Sequence, residues 1–327
     1  MPGPLSGRRL RSFVVQGVVA VGLALLLWLL FHFTAANMRE RGIHSGFGFL
    51  LEPAGFAIGE SPLPFDSADS VLWALVVGLV NTLRVALPAI VVSTVLGTLI
   101  GLGRLSPNLL LRGLCKAYVE TLRNVPLLLQ LLAWYFVVTD LLPDSGAALQ
   151  IVPHVFLSKS GLAVPWFGDD GALLDLPVRG DLAVTGGAAL TPEFLALLLG
   201  LSLYTAAYVA ETVRAGIQSV PRGQSDAALA LGMSRVQSFR RVLLPQALRS
   251  IIPPLTNQHL SLTKNVSLAV AIGYPDLVSI ADTTLNQTGR AAECIAVIMA
   301  VYLIVSLLTA WASTALERRT GRWAQRP

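Results

Sequence analysis

Apolar residues dominate this chain in long blocks separated by short polar segments, and the block lengths carry the first conclusion. A helix needs about 20 mostly apolar residues to cross a bilayer. Six stretches meet that length: roughly 12–33, 78–102, 117–142, 190–213, 251–272 and 292–315. An amphipathic run from Ser70 precedes the second stretch and is expected to lie on the membrane surface. The first stretch follows Arg8, Arg9 and Arg11, the flank of a secretory signal, but its apolar part is about twice as long as a signal h-region. It is therefore read as an anchor. The pattern predicts an all-α membrane protein of about six transmembrane helices.

Two segments expected outside the membrane are long, roughly 34–70 and 143–189. The second is rich in Asp, Gly and Pro, and its apolar piece LQIVPHVFL is too short to cross. It is read as an extracytoplasmic insertion. The expected organisation is an N-terminal tail, anchor and outer segment over 1–70, a membrane domain over 71–316 and a tail over 317–327. Within the membrane domain, 214–250 forms a cytoplasmic loop.

Composition agrees. Of 327 residues 54% are hydrophobic and 13% charged, against roughly a quarter charged in soluble domains. The formal net charge of +5 does not point to nucleic acid, because the basic residues flank apolar stretches and report topology. With both termini inside, sixteen Lys and Arg fall in cytoplasmic segments and five in outer ones. That asymmetry sets both ends in the cytoplasm. Cys115 and Cys294 are far apart and are read as free thiols. The four histidines show no metal-ligand spacing. No nucleophile–base constellation is present, so no catalysis is expected in this chain.

The segment 211–254 is too polar to cross yet has helical organisation. Ser225 can cap a short helix, with Asp226 in its first turn at the positive end of the dipole. Ala227, Ala228 and Ala230 give it a small-residue face, and Gly232 suits the position just past its end. Ser234 and Gln237 form a capping-box pattern for a second helix that places Val236, Phe239 and Leu243 on one face. Pro245 interrupts that helix. Two short helices on a glycine turn make a rigid knob suited to a cleft on a partner protein.

Asp226-Ala227-Ala228, three residues, Gly232, nine residues, then Val242-x-Leu244-Pro245 resembles the EAA motif of binding-protein-dependent ABC importer permeases. Asp and Val replace the motif's Glu and Ile. VNTL (80–83), YVETLRNVPLLLQ (118–130), VRAGIQSVPRGQ (213–224), LPQALRSIIPPLTNQ (244–258) and LTKNVSLAVAIG (262–273) are similar to signatures of the polar amino-acid (HisMQ-type) subfamily. The extra first span and the long outer insertion resemble its branch for general or acidic/amide L-amino acids. The resemblance implies a type I importer permease in a bacterial inner membrane that pairs with a second permease subunit, a paralogue rather than itself. It also implies a solute-binding protein outside and ATPase subunits beneath. Asp226, Ala227, Ala228, Gly232, Leu244 and Pro245 would then dock on the ATPase. ATP and Mg would belong to that ATPase: none of the three lysines follows a glycine, so G-x-x-x-x-G-K-[ST] is absent.

Arg84, Arg123 and Lys264 lie inside apolar stretches, where charge is expensive. At 1.5 Å per residue Arg84 sits about 9 Å below the outer end of its span and Lys264 about 10 Å. The two can share a depth and receive a substrate carboxylate. Alternatively, each pairs with a carboxylate, a backbone carbonyl or a headgroup, which is the reading for Arg123 near the inner face. Asn265 and Ser267 are further polar candidates beside Lys264. Two other functions stay open: a gradient-driven secondary transporter or channel, and a membrane scaffold that moves nothing.

Overall fold

A computed structural model of the chain describes residues 7–40, 46–167 and 174–323. Ten helices appear among them. α1 (Gly7–Glu40) and α10 (Ala291–Trp323) cover the first and last predicted spans. The Phe13–Leu30 stretch of α1 is wholly unburied, as lipid-facing apolar residues are.

α2 (Val71–Gly103) is one helix. The run from Ser70, expected on the surface, is instead its first turns, because Ser70 caps it by accepting from Trp73 N–H at 3.2 Å. Val71, Ala74 and Leu75 are buried there against Phe49, Leu277 and Ile280. α5 (Pro192–Gln218) is the central span, capped by Thr191 and buried over two thirds of its apolar window. α2 and α5 run side by side and parallel. Gly97 and Gly101 allow this: an added Cβ at Gly97 would stand 2.7 Å from the Ala206 carbonyl oxygen, and one at Gly101 2.7 Å from that of Ala210. Small residues at i and i+4 are the usual device for close helix approach in lipid.

The third predicted span is not one helix. α3 (Leu109–Asn124) and α4 (Leu127–Phe136) meet at an angle of 104°. Pro126 lacks an N–H and forces Val125 into an extended conformation, φ −94° and ψ 128°. Buried Gln130 closes the break by donating to the carbonyls of Leu122 (2.8 Å) and Val125 (2.9 Å). Helices run through Pro88, Pro253 and Pro254 unbroken. α4 continues through a π turn to Leu141.

The fifth span also bends. α8 (Leu244–Asn265) tightens into a 3-10 turn, Val266–Ile272, breaks at Gly273, and resumes as α9 (Leu277–Thr288) at 51°. α9 is absent from the sequence reading. Counting each bent pair as one span, up to six helical segments can cross a membrane.

The outer insertion departs from an all-helical chain. Strands β1 (Leu149–Val152), β2 (Val155–Ser158), β3 (Gly161–Val164) and β6 (Ala188–Leu190) form an antiparallel sheet in that order, and β4 (Val178–Arg179) pairs with β5 (Val184–Thr185). The piece LQIVPHVFL is the β1–β2 hairpin: β-branched and apolar residues flank a two-residue turn. β6 feeds directly into α5. The other outer segment, 46–70, packs Phe49, Ala54, Phe56 and Phe65 onto α2, α9 and α10.

Candidate functional site

In the loop between α5 and α8, α6 (Arg222–Ala230) begins three residues before the expected Ser225. Pro221 turns the chain into the helix, so Ser225 is no cap and Asp226 stands a full turn in, exposed, away from the positive end. Ala227 is exposed and Ala228 buried. The far end forms as the residues predict. Gly232 takes φ +81°, Met233 N–H reaches the Ala228 carbonyl at 3.2 Å and Gly232 N–H that of Leu229 at 2.9 Å. This paired closure requires a left-handed residue just past the helix, and glycine supplies it without a Cβ clash. Ser234 and Gln237 form both bonds of the capping box that starts α7 (Arg235–Ser238).

A π turn, Phe239–Leu243, joins α7 to α8. Pro245, one residue into α8, has no N–H to give the α ladder, and the widened turn before it absorbs the loss. The helical direction continues, but the π turn rotates the face. Val236 is exposed while Phe239 and Leu243 are half-buried with Leu244 and Pro245. The knob thus presents Asp226, Ala227, Leu229, Leu231 and Val236 outward.

Where the loop leaves α5, the Glu211 carboxylate accepts from Arg104 at the end of α2 and from Arg214 one turn on; Arg214 also donates to Gln218. This knot ties α5, just before the loop leaves it, to the end of α2. Glu211 and Arg214 at i and i+3 were readable as a pair; Arg104, which joins them across 107 positions, was not.

In the middle of the bundle, α5 and α8 enclose an open cleft of about 340 Å³ lined by Tyr204, Thr205, Tyr208, Gln258, Ser261, Leu262 and Asn265. The Tyr204 hydroxyl donates to that of Tyr208 at 3.1 Å. The Arg123 guanidinium lies 5.0 Å above the Tyr208 ring. Of the sequence candidates, Asn265 lines this cleft. Lys264 beside it is exposed, and among the described residues no carboxylate pairs with it. Ser267 is half-buried in the 3-10 turn and does not line the cleft. Tyr204, Tyr208, Gln258 and Ser261 escaped the sequence reading, although Gln258, Ser261 and Asn265 form a polar stripe at helical spacing.

Arg84 stands apart. Its guanidinium lies 5.1 Å over the Phe194 ring, and its Nη1 donates to Glu60 Oε1 at 2.5 Å. α8 runs antiparallel to α5, with Ile251 against Gly216 and Gln258 sharing the cleft with Tyr208. By that register Lys264 comes level with the stretch between Leu201 and Tyr204. Arg84 therefore lies about 12 Å nearer the N-terminal end of α5 at 1.5 Å per residue. The two cations do not share a depth, because the parallel register of α2 and α5 lifts Arg84 to the first turn of α5.

Known proteins place this architecture. Residues 89–322 match the family described as binding-protein-dependent transport system inner membrane component. The chain is similar to the general L-amino acid transport system permease protein AapQ of Rhizobium johnstonii, with 40% identity over 91% of this chain and 89% of that one. It is also similar to the glutamate/glutamine/aspartate/asparagine transport system permease protein BztB of Rhodobacter capsulatus, with 35% identity over 91% of each. Among solved structures it resembles an amino acid ABC transporter crystallised with histidines, with a TM-score of 0.57 and 27% identity over 76% of this chain and 94% of that one. This helical bundle, with a capped two-helix knob on the loop between α5 and α8 and a family match over residues 89–322, belongs to the binding-protein-dependent transport system inner membrane component family.

Proposed function

We propose that this chain is a translocating permease subunit of an ATP-driven importer for L-amino acids, polar or acidic or broad in range. The observation that carries the proposal is the vertical arrangement of its parts. A polar cleft lies in mid-bundle, and a rigid knob with an exposed small and apolar face lies below it. The Arg104–Glu211–Arg214 knot ties α2 to α5, the helix that walls the cleft and leads into the knob. The activities named for AapQ and BztB support the amino-acid substrate.

The knob docks on a separate ATPase, which holds ATP and Mg. Asp226, Ala227, Ala228 and Gly232 form its contact helix and turn, and Leu244 and Pro245 carry the motion into α8. Both termini face the cytoplasm. A solute-binding protein delivers substrate from outside, and a second permease subunit, a paralogue, completes the pore. Within this chain the cleft offers what a zwitterion needs. Arg123 and Lys264 attract its carboxylate, and the carbonyls of Gln258 and Asn265 with the two tyrosine oxygens accept from its ammonium group. Ser267 and Arg84 lie further along the path.

The test is uptake of radiolabelled amino acids into proteoliposomes that hold the complex with its ATPase and binding protein. Lys264→Ala and Tyr208→Phe are expected to lower ATP-driven uptake by about tenfold, the size of one lost hydrogen bond to a charged group, with complex assembly unchanged. Equal loss of assembled complex contradicts the substrate role.

A further inference from the structure

The outer end of the bundle holds a built anion site, and a carboxylate of this chain already sits in it. Three features converge there. The Arg84 guanidinium supplies charge and forked donors. Thr191 donates its hydroxyl to Glu60 Oε2 at 2.5 Å while accepting from Phe194 N–H at 3.2 Å, so it stands at the N-terminus of α5. That 27-residue helix directs the positive end of its dipole to the same point. The occupant is Glu60, which spans the site with Oε1 on Arg84 and Oε2 on Thr191.

Glu60 does not belong to the helices that form the site. It comes from the outer segment and is held by its backbone carbonyl, which accepts from Asn81 Nδ2 at 2.8 Å. The site is also not sealed. The Arg84 side chain keeps 29% of its surface exposed, against 12% for Glu60. An anion site with a tethered internal carboxylate and an open flank can exchange that carboxylate for a free one.

We infer that Arg84, Thr191 and the start of α5 form an outer carboxylate-binding subsite for the transported amino acid, and that Glu60 is its internal competitor. The inference rests on the amino-acid reading above. No bond is made or broken covalently: the substrate carboxylate takes the Arg84 and Thr191 donors, and Glu60 swings out to water. The subsite lies about 18 Å outward of the mid-bundle cleft, so it is a first station on the path. Glu60 then sets the affinity of that station and favours release inward.

The experiment measures equilibrium binding of radiolabelled L-glutamate and L-glutamine to the purified permease–ATPase complex in nanodiscs, without binding protein. Glu60→Gln is expected to tighten binding of both about tenfold, because a charged competitor is replaced by a neutral one. Adding Arg84→Gln to that variant abolishes the gain. Glu60→Asp, one methylene shorter and still charged, gives a gain in the same direction and carries the test if the Gln variant does not assemble. Unchanged or weaker binding in the Glu60 variants, or a gain that survives Arg84→Gln, overturns the inference and leaves Glu60–Arg84 a structural pair. ATP-driven uptake by the unaltered complex is measured in parallel. Uptake with no change in the Glu60 variants defeats this inference alone, whereas absence of uptake defeats the importer reading.

Discussion

Arg84 and Lys264, both cations within apolar stretches, meet different fates. Arg84 finds Glu60 and Phe194 inside the chain, while Lys264 is left exposed beside a polar cleft. Nothing local in the sequence separates them. Glu60 lies 24 positions before Arg84 in a segment with no periodicity, so the pairing exists only once that segment folds over the outer ends. Gly232, Ser234 and Gln237 were legible because caps are local chemistry: each bond spans a few residues. Glycines at close helix approaches fall between these cases. Gly97 and Gly101 carry readable spacing, but their partner is visible only in the fold. At Gly97 an added Cβ would stand 2.6 Å from Val209 Cβ. Gly97→Leu is therefore expected to cost about 3 kcal/mol or more by forcing α2 from α5, read as a lower Tm of the purified complex. An unchanged Tm contradicts the packing described.

At the scale of elements, span existence was legible from apolar length and span shape was not. The stretch 117–142 has the length of one helix, and its apolar pattern runs through Pro126 without a break. Tertiary contacts decide otherwise: Tyr118 donates to the Leu203 carbonyl at 2.7 Å and Arg123 stacks on Tyr208, holding α3 across α5 while α4 turns along it. Gln130 makes the break tolerable in lipid by satisfying two carbonyls that the helix end leaves open. Gln130→Leu is expected to lower stability by about 2 kcal/mol, seen as a loss of Tm that Gln130→Glu does not restore, since a carboxylate cannot donate. A Tm equal to the parent contradicts that role. The β strands of the insertion went unread because they are two to four residues long and their pairing spans a Gly- and Asp-rich stretch.

At the scale of the molecule, three layers of polar chemistry are stacked along α5: the Glu60–Arg84–Thr191 site at its N-terminal end, the Tyr204–Tyr208 cleft in the middle, and the Arg104–Glu211–Arg214 knot toward its C-terminal end. The motif-bearing loop was legible from sequence alone, because it is written in one contiguous segment. The middle and outer layers assemble from separate helices and needed the fold. In the proposed function the knob passes ATPase motion to these layers. Gly232→Asp tests it with little damage to the fold, because no atom lies within 4 Å of the added Cβ. The left-handed backbone costs about 1–2 kcal/mol, while a charge enters the docking face. The measurement is ATP hydrolysis by the complex in nanodiscs, with its ATPase and binding protein, across a panel of amino acids. Liganded binding protein is expected to stimulate hydrolysis for the transported amino acids, and Gly232→Asp to abolish the stimulation while the complex still assembles. Amino-acid flux that needs no ATP, or full stimulation in the Gly232→Asp complex, would contradict the proposed function.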